Sequence, residues 1–307
     1  MKISRIAGLL TALLSLHAGP VRADPVYAST SGGQLISFDS SNPGLLSSNV
    51  SLSGVAGSLV GIDFRPAAPD TLYGLGNSGG VGTIYSINLA TGVAAPVYTL
   101  TTALAGTSFG VDFNPVPDAL RILSNTGQNL RITGFATGTF VTNVDGVLNI
   151  GGTTQSGVVA AGYTNSFAGA TTTTLFALQD NAAGFPDQLF TVNPPNAGTL
   201  NLPVTLAINV SQLSGFDINP VNTAFLSWNG GNQFGTINLT TGGVVNNGAV
   251  GGGFAGQVTG ISVSVVPEPE TYALLLAGIA ALAARGRRSA GRASGQQQGA
   301  AAKALRV

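Results

Sequence analysis

The chain has 307 residues, with twelve Lys and Arg against twelve Asp and Glu, one histidine and no cysteine. Without cysteine, disulfides, thiol redox chemistry and thiolate metal sites are excluded, and with the one histidine, His17, close to the N-terminus, the rest of the chain has no imidazole for Ser/His/Asp or Cys/His catalysis. The charge balance belongs to the ends: residues 24–265 keep only Arg65, Arg121 and Arg131 against ten aspartates, a net charge of −7 that disfavours nucleic acid and anionic membranes.

Residues 1–23 have the layout of a signal peptide. Lys2 and Arg5 precede an apolar core from Ile6 to Leu16, and Val21-Arg22-Ala23 places small residues where signal peptidase would cut before Asp24. The core is too short to serve as an anchor.

Residues 24–265 are rich in Gly, Ser, Thr, Asn, Ala and Val and contain no Lys or Glu. Helix formers are scarce and β-formers and turn residues abundant, so an all-β domain is expected. Within it a phrase repeats. Gly61-Ile62-Asp63-Phe64-Arg65-Pro66 recurs as Gly110-Val111-Asp112-Phe113-Asn114-Pro115 and as Gly215-Phe216-Asp217-Ile218-Asn219-Pro220. A degenerate copy starts at Ala160, and a last one is Gly260-Ile261-Ser262-Val263. The steps between copies are 49, 50, 55 and 45 residues. Each full copy is followed by alternating segments such as Thr71–Leu75, Gly82–Leu89 with the turn Ala90-Thr91-Gly92, and Pro96–Leu100. Four short strands per ~40–50 residues is the period of a propeller blade.

The body opens at Pro25–Ala28 as a second strand and closes at Ile261–Val265 as a first strand. The expected fold is therefore an all-β propeller of five four-stranded blades, closed by pairing of its N- and C-terminal strands. A six-bladed ring, an open solenoid and a sandwich are the competing architectures. The repeat text resembles the domain of unknown function 4394 family, which implies the fold and surface export but no activity.

Residues 266–288 read as a sorting tail. Val266-Pro267-Glu268-Pro269-Glu270-Thr271 precedes an apolar run, Tyr272 to Ala284, and the basic cluster Arg285, Arg287 and Arg288. Thirteen helical residues span ~20 Å against a hydrocarbon core of ~30 Å, so the run is a marginal transmembrane helix with its basic end on the cytoplasmic side. Order and spacing resemble the PEP-CTERM sorting tail of Gram-negative bacteria. That resemblance implies recognition by an exosortase, with Val266, Pro267, Glu268, Pro269 and Thr271 as the sorting motif. It also implies a transient inner-membrane anchor and release to the cell surface or extracellular matrix. Residues 289–307 continue past the usual end of such tails and read as a disordered extension.

Asp63, Asp112 and Asp217 are the main candidate site residues. If they ring one mouth of the central channel they could hold Ca²⁺, which takes six to eight oxygens. The plainer reading is that each accepts backbone N–H groups in its own turn. Asp145, Asp180 and Asp187 read as solvated surface. Trp228 could stack on a sugar ring but more readily fills a gap between blades. Gly79–Gly82 and Gly251–Gly253 read as hairpin turns. No catalytic residue and no cofactor is expected. The favoured function is a non-enzymatic scaffold presented to exopolysaccharide or to other surface proteins, with signal peptidase and exosortase as processing partners. The alternative is a glycan-binding or glycan-hydrolysing propeller with its site at the channel mouth, for which two carboxylates ~5–9 Å apart would be needed.

Overall fold

A computed structural model describes residues 23–264 except 182–184, 229, 231 and 253–255, together with Gly278. The signal peptide, the sorting motif, the apolar run, the basic cluster and the 289–307 extension lie outside the described residues. No helix among the described residues is long and apolar enough to cross a membrane.

The chain begins with β1 (Pro25–Thr30), β2 (Gln34–Asp39) and β3 (Asn42–Ser51). Then come β4 (Ser58–Arg65), β5 (Ala68–Ser78), β6 (Val81–Ile87) and β7 (Ala94–Thr99), followed by β8 (Phe109–Asn114), β9 (Ala119–Ser124), β10 (Asn129–Thr133) and β11 (Val141–Val144). A small hairpin, β12 (Asn149–Ile150) and β13 (Thr153–Thr154), precedes β14 (Val158–Tyr163), β15 (Leu175–Gln179), β16 (Gln188–Val192) and β17 (Leu200–Thr205). The last sheet strands are β18 (Gly215–Ile218), β19 (Ala224–Trp228), β20 (Gln233–Ile237), β21 (Val244–Ala249) and β22 (Val258–Val263).

These strands form five four-stranded antiparallel sheets. Blade 1 is β22-β1-β2-β3, so the last strand of the body supplies the innermost strand of the first sheet. Val26 lies opposite Val263 and Ala28 opposite Ile261. Blades 2, 3, 4 and 5 are β4–β7, β8–β11, β14–β17 and β18–β21. The architecture is a five-bladed β-propeller closed by its terminal strands, as the repeat predicts. Closure gives each terminal strand of the body a partner, β1 with β22, so neither end is left as a loose strand.

The core divides into five apolar clusters, one at each blade interface. Leu75, Ile84, Phe113 and Ile122 fill the space between blades 2 and 3, while Leu178, Phe216, Leu226 and Trp228 fill that between blades 4 and 5. The other interfaces are packed the same way. Trp228 is a core residue, 8 % exposed.

The recurrent Asn-Leu-x-Thr-Gly turn has a physical reason. Asn88 Oδ1 accepts the N–H groups of Ala90 and Thr91, and Asn238 does the same for Thr240 and Thr241. Gly92 and Gly242 both take φ of 70°, and a Cβ there would meet Ser51 O at 2.3 Å and Thr205 O at 2.2 Å on the preceding blade. Only glycine permits this turn to press against its neighbour.

Gly79 and Gly80 sit at positive φ in the two-residue turn between β5 and β6, as expected of a hairpin. Gly251 and Gly252 instead belong to a short 3₁₀ turn, Val250–Gly252.

Candidate functional site

The five innermost strands run in one direction, and equivalent positions on them are Asp63, Asp112, Gly162, Asp217 and Ser262. Each side chain present accepts an N–H from the next blade. Phe113 N–H donates to Asp63 at 2.7 Å, Tyr163 N–H to Asp112 at 3.1 Å, Val263 N–H to Asp217 at 2.6 Å and Phe64 N–H to Ser262 at 3.0 Å. The Ser262 hydroxyl in turn donates to Asp63 at 2.9 Å. The result is a hydrogen-bonded belt that passes from blade to blade around the axis. It is broken only at Gly162, where the Phe216 ring takes the space: a Cβ would come within 2.8 Å of it. Ile218 N–H, which Gly162 cannot serve, donates to Asp217 Oδ1 at 2.6 Å.

The aspartates therefore hold the neighbouring blade, a correction to the sequence expectation that each serves its own turn; Asp217 and Asp63 also engage the N–H of the residue that follows them. All three lie toward the C-terminal ends of their strands and are almost fully buried, at 3 %, 2 % and 4 % exposure.

Carboxylate oxygens of Asp63, Asp112 and Asp217 lie within 4.8 Å of one another. Desolvation, reinforced by the neighbouring carboxylates, pushes Asp63 and Asp112 well above the usual carboxylate range. Burial also raises Asp217, to about 6, although the Val263 and Ile218 N–H groups oppose the rise. The interaction between the Asp112 and Asp217 carboxyls raises the first and lowers the second.

Five of the six carboxylate oxygens already accept protein donors. A calcium ion would have to displace those bonds to gather six to eight oxygens. Calcium in the millimolar range is therefore expected to leave the melting temperature unchanged; a rise of many degrees in scanning calorimetry would reveal a folded-state cation site.

A second belt lies among the turns that follow the innermost strands. Arg65 pairs with Asp118 across blades 2 and 3. Asn165 and Asn222 exchange hydrogen bonds of 2.7 and 2.9 Å across blades 4 and 5, the interface that Gly162 leaves without a side-chain link. Asn219 donates to Asp24 at 2.8 Å across blades 5 and 1. Asp118, Asn165 and Asn222 all adopt positive φ, a conformation that Asx residues tolerate better than most.

Sequence reasoning missed a buried cluster around Arg121, which is 1 % exposed. Its guanidinium donates to Asp145 at 2.6 Å, Asn129 at 2.8 Å, Asn196 at 2.7 Å and the Tyr163 hydroxyl at 3.3 Å. Arg131 donates to the same Asp145 at 3.0 Å. Asp145 is thus a largely buried ion-pair partner within blade 3, not a solvated residue, and Arg121 ties blade 3 to blade 4 through Tyr163 and Asn196. Asp187 is likewise buried and accepts the N–H groups of Asn181 and Val210. Asp180 is partly buried, and burial beside Asp187 raises its pKa.

At the other end of the innermost strands lies a pocket of about 390 Å³. Loops of blades 1, 2, 3 and 5 and the starts of four innermost strands line it, with no ionisable side chain among them. The aspartates sit three or four residues further along each strand, roughly 10–13 Å deeper at ~3.3 Å per residue, and do not line it. Between the two the axis narrows to a cavity of about 20 Å³, lined by all five innermost strands and too small for a sugar ring. The pocket is blind, and the carboxylates do not reach the mouth where the sequence reading placed a hydrolytic alternative.

The fold and belt define a small, fully closed propeller whose chain runs on from its closing strand into a sorting signal. Residues 34–262 match the family described as Domain of unknown function (DUF4394), and the chain belongs to it. Residues 265–289 match the PEP-CTERM protein-sorting motif. That motif implies exosortase-dependent export to the cell surface of a Gram-negative bacterium.

No curated protein matches the chain in sequence. Among solved structures, a chain of a nidogen/laminin complex aligns at 12 % identity and TM-score 0.47, covering 79 % of this chain and 98 % of that one. TolB from Acinetobacter baumannii aligns at 12 % identity and TM-score 0.43, covering 79 % and 66 %. A protein from Lactobacillus plantarum aligns at 11 % identity and TM-score 0.38, covering 79 % and 99 %. None of these overlaps bears on the function of this chain.

Proposed function

We propose that the protein is a non-enzymatic scaffold of the cell surface or extracellular matrix, held briefly in the inner membrane by the apolar run 272–284 and released when exosortase cuts near Pro267-Glu268-Pro269. The sorting motif carries this reading. The body supports the absence of catalysis: it has no His, Cys, Lys or Glu. Its three convergent carboxylates are engaged by backbone and serine donors. Their mutual spacing, within 4.8 Å, leaves no room for a sugar and a water between them. A surface of Asn, Thr, Ser and Gly with a modest negative charge remains hydrated and repels its own kind weakly, which suits a crowded polymer layer.

Replacing Pro267, Glu268 and Pro269 together with alanine is expected to leave the protein in the inner-membrane fraction. Cell fractionation with immunoblotting reads the result, and release of the variant at the normal level would exclude tail-directed sorting. Mass spectrometry of the mature protein from its host should place one cut before Asp24 and a second at the sorting motif.

A further inference from the structure

We propose that the blind pocket at the mouth of the ring binds an uncharged, polyhydroxylated ligand: a neutral monosaccharide, or the terminal residue of a neutral glycan. The site goes beyond the scaffold reading and does not depend on how the protein is sorted.

Three observations point this way. The first is size and shape. About 390 Å³ is near the lower end of the roughly 300–1,000 Å³ typical of ligand pockets. Beneath it the axis narrows to a cavity of about 20 Å³, too small to pass a sugar ring. A blind pocket admits an end group or a free small molecule and cannot thread a polymer.

The second is the chemistry of the wall. Ser31, Ser53 and Ser58 present hydroxyls that have no protein partner among the described residues. The Gln212 carbonyl oxygen is engaged by Thr107 at 3.4 Å, which leaves its amide nitrogen to donate. Leu59 and Phe109 add apolar surface beside these groups. Hydroxyl and amide groups next to apolar side chains match the two kinds of surface on a sugar ring, its hydroxyls and its C–H face.

The third is charge. No ionisable side chain lines the pocket, and all three arginines of the body are already paired with Asp118 or Asp145. An anionic ligand would find no counter-charge inside and a net negative body outside. A cationic ligand would be desolvated with no carboxylate within the pocket to receive it.

Isothermal titration calorimetry and saturation-transfer NMR on the mature exported protein test the site. The probes are glucose, galactose, mannose and N-acetylglucosamine, with glucuronate and glucosamine as charged counterparts. At least one neutral sugar should bind saturably, and its charged counterpart should not. Ser58→Trp, which fills the pocket from a strand position that tolerates aromatics, should abolish binding without changing the melting temperature. Gln212→Ala should weaken it about tenfold, the loss expected for one or two hydrogen bonds.

Short dextran oligomers and long dextran at equal mass distinguish the two sources. Stronger binding of the short oligomers identifies a chain end, and binding confined to the free monosaccharide identifies a small-molecule site. The proposal is overturned if no neutral sugar binds, if glucuronate binds as well as glucose, or if Ser58→Trp retains binding. Each of these readouts is independent of where the tail variant localises.

Discussion

The propeller is expected to be most stable in mild acid and to lose stability as the pH rises through about 6, the value to which burial raises Asp217. An aspartate in the unfolded chain titrates near ~3.9. Below that value both states hold the proton and the contribution is fully present. Between it and the raised folded value, the native ring keeps protons that the unfolded chain has released, so unfolding is favoured by rising pH. For Asp217 alone, a shift of about two units is worth about 3 kcal/mol, at 1.36 kcal/mol per unit. Asp63 and Asp112 are raised well above the usual range and extend the loss to higher pH. Melting temperatures in a buffer series at fixed ionic strength should therefore fall from about pH 4 to about pH 8.

Two variants separate charge from architecture. Asp112→Asn keeps an oxygen for the Tyr163 N–H and supplies a permanent donor toward Asp217, so it should flatten the decline and raise stability at alkaline pH. Asp63→Ala strips the acceptor from the buried Phe113 N–H and the Ser262 hydroxyl, and should cost about 2–4 kcal/mol in mild acid and less as the pH rises, because it also removes a raised carboxyl. A melting temperature that climbs between about pH 4 and pH 8 would exclude a ring that holds its protons.

Arg121→Ala is expected to be the most damaging single substitution in the body, at about 3–5 kcal/mol. The guanidinium satisfies Asp145, Asn129 and Asn196 from a site 1 % exposed, and its loss leaves the buried Asn129 and the largely buried Asp145 short of a donor beside a cavity. Arg131 alone would remain on Asp145. Arg121→Met fills part of the space but not the hydrogen bonds, and should fall between wild type and alanine. The pair Arg65–Asp118 is partly solvated, so Arg65→Ala should cost much less, about 1 kcal/mol or below. Urea midpoints of the three variants check the order; equal shifts for Arg65→Ala and Arg121→Ala would remove the cluster from its role between blades 3 and 4.

The repeat phrase made the ring legible because it encodes geometry directly. Gly61, Gly110 and Gly215 let innermost strands approach, the aspartate two residues on links blades, and the proline ends the strand. Pairing of Pro25–Ala28 with Ile261–Val263 followed from asking which strand each end lacked. The direction of the aspartate bonds was not legible, because a repeat shows what recurs within a unit and not which unit it touches. Ser262 stood in the fifth copy at the belt position, and aligning the copies column by column would have found it. Arg121 and Asp145 belong to one blade only, so no periodicity marks them; a buried arginine is visible only once its partners from Asn129 to Asn196 converge. The mouth pocket is assembled by loops of four blades with no shared motif, and nothing in the order of residues announces it.

The join between β22 and β1 also fixes a sequence of events. Val263, which lies opposite Val26 and donates its N–H to Asp217, is among the last residues of the body to emerge from the ribosome or from a translocation channel. Until then blade 1 lacks its innermost strand, and Asp217 and Ser262 have nothing to join. A chain threaded across a membrane N-terminus first can thus reach its locked form only after the body has crossed, so the timing of assembly is built into strand order and export meets a chain that has not yet closed.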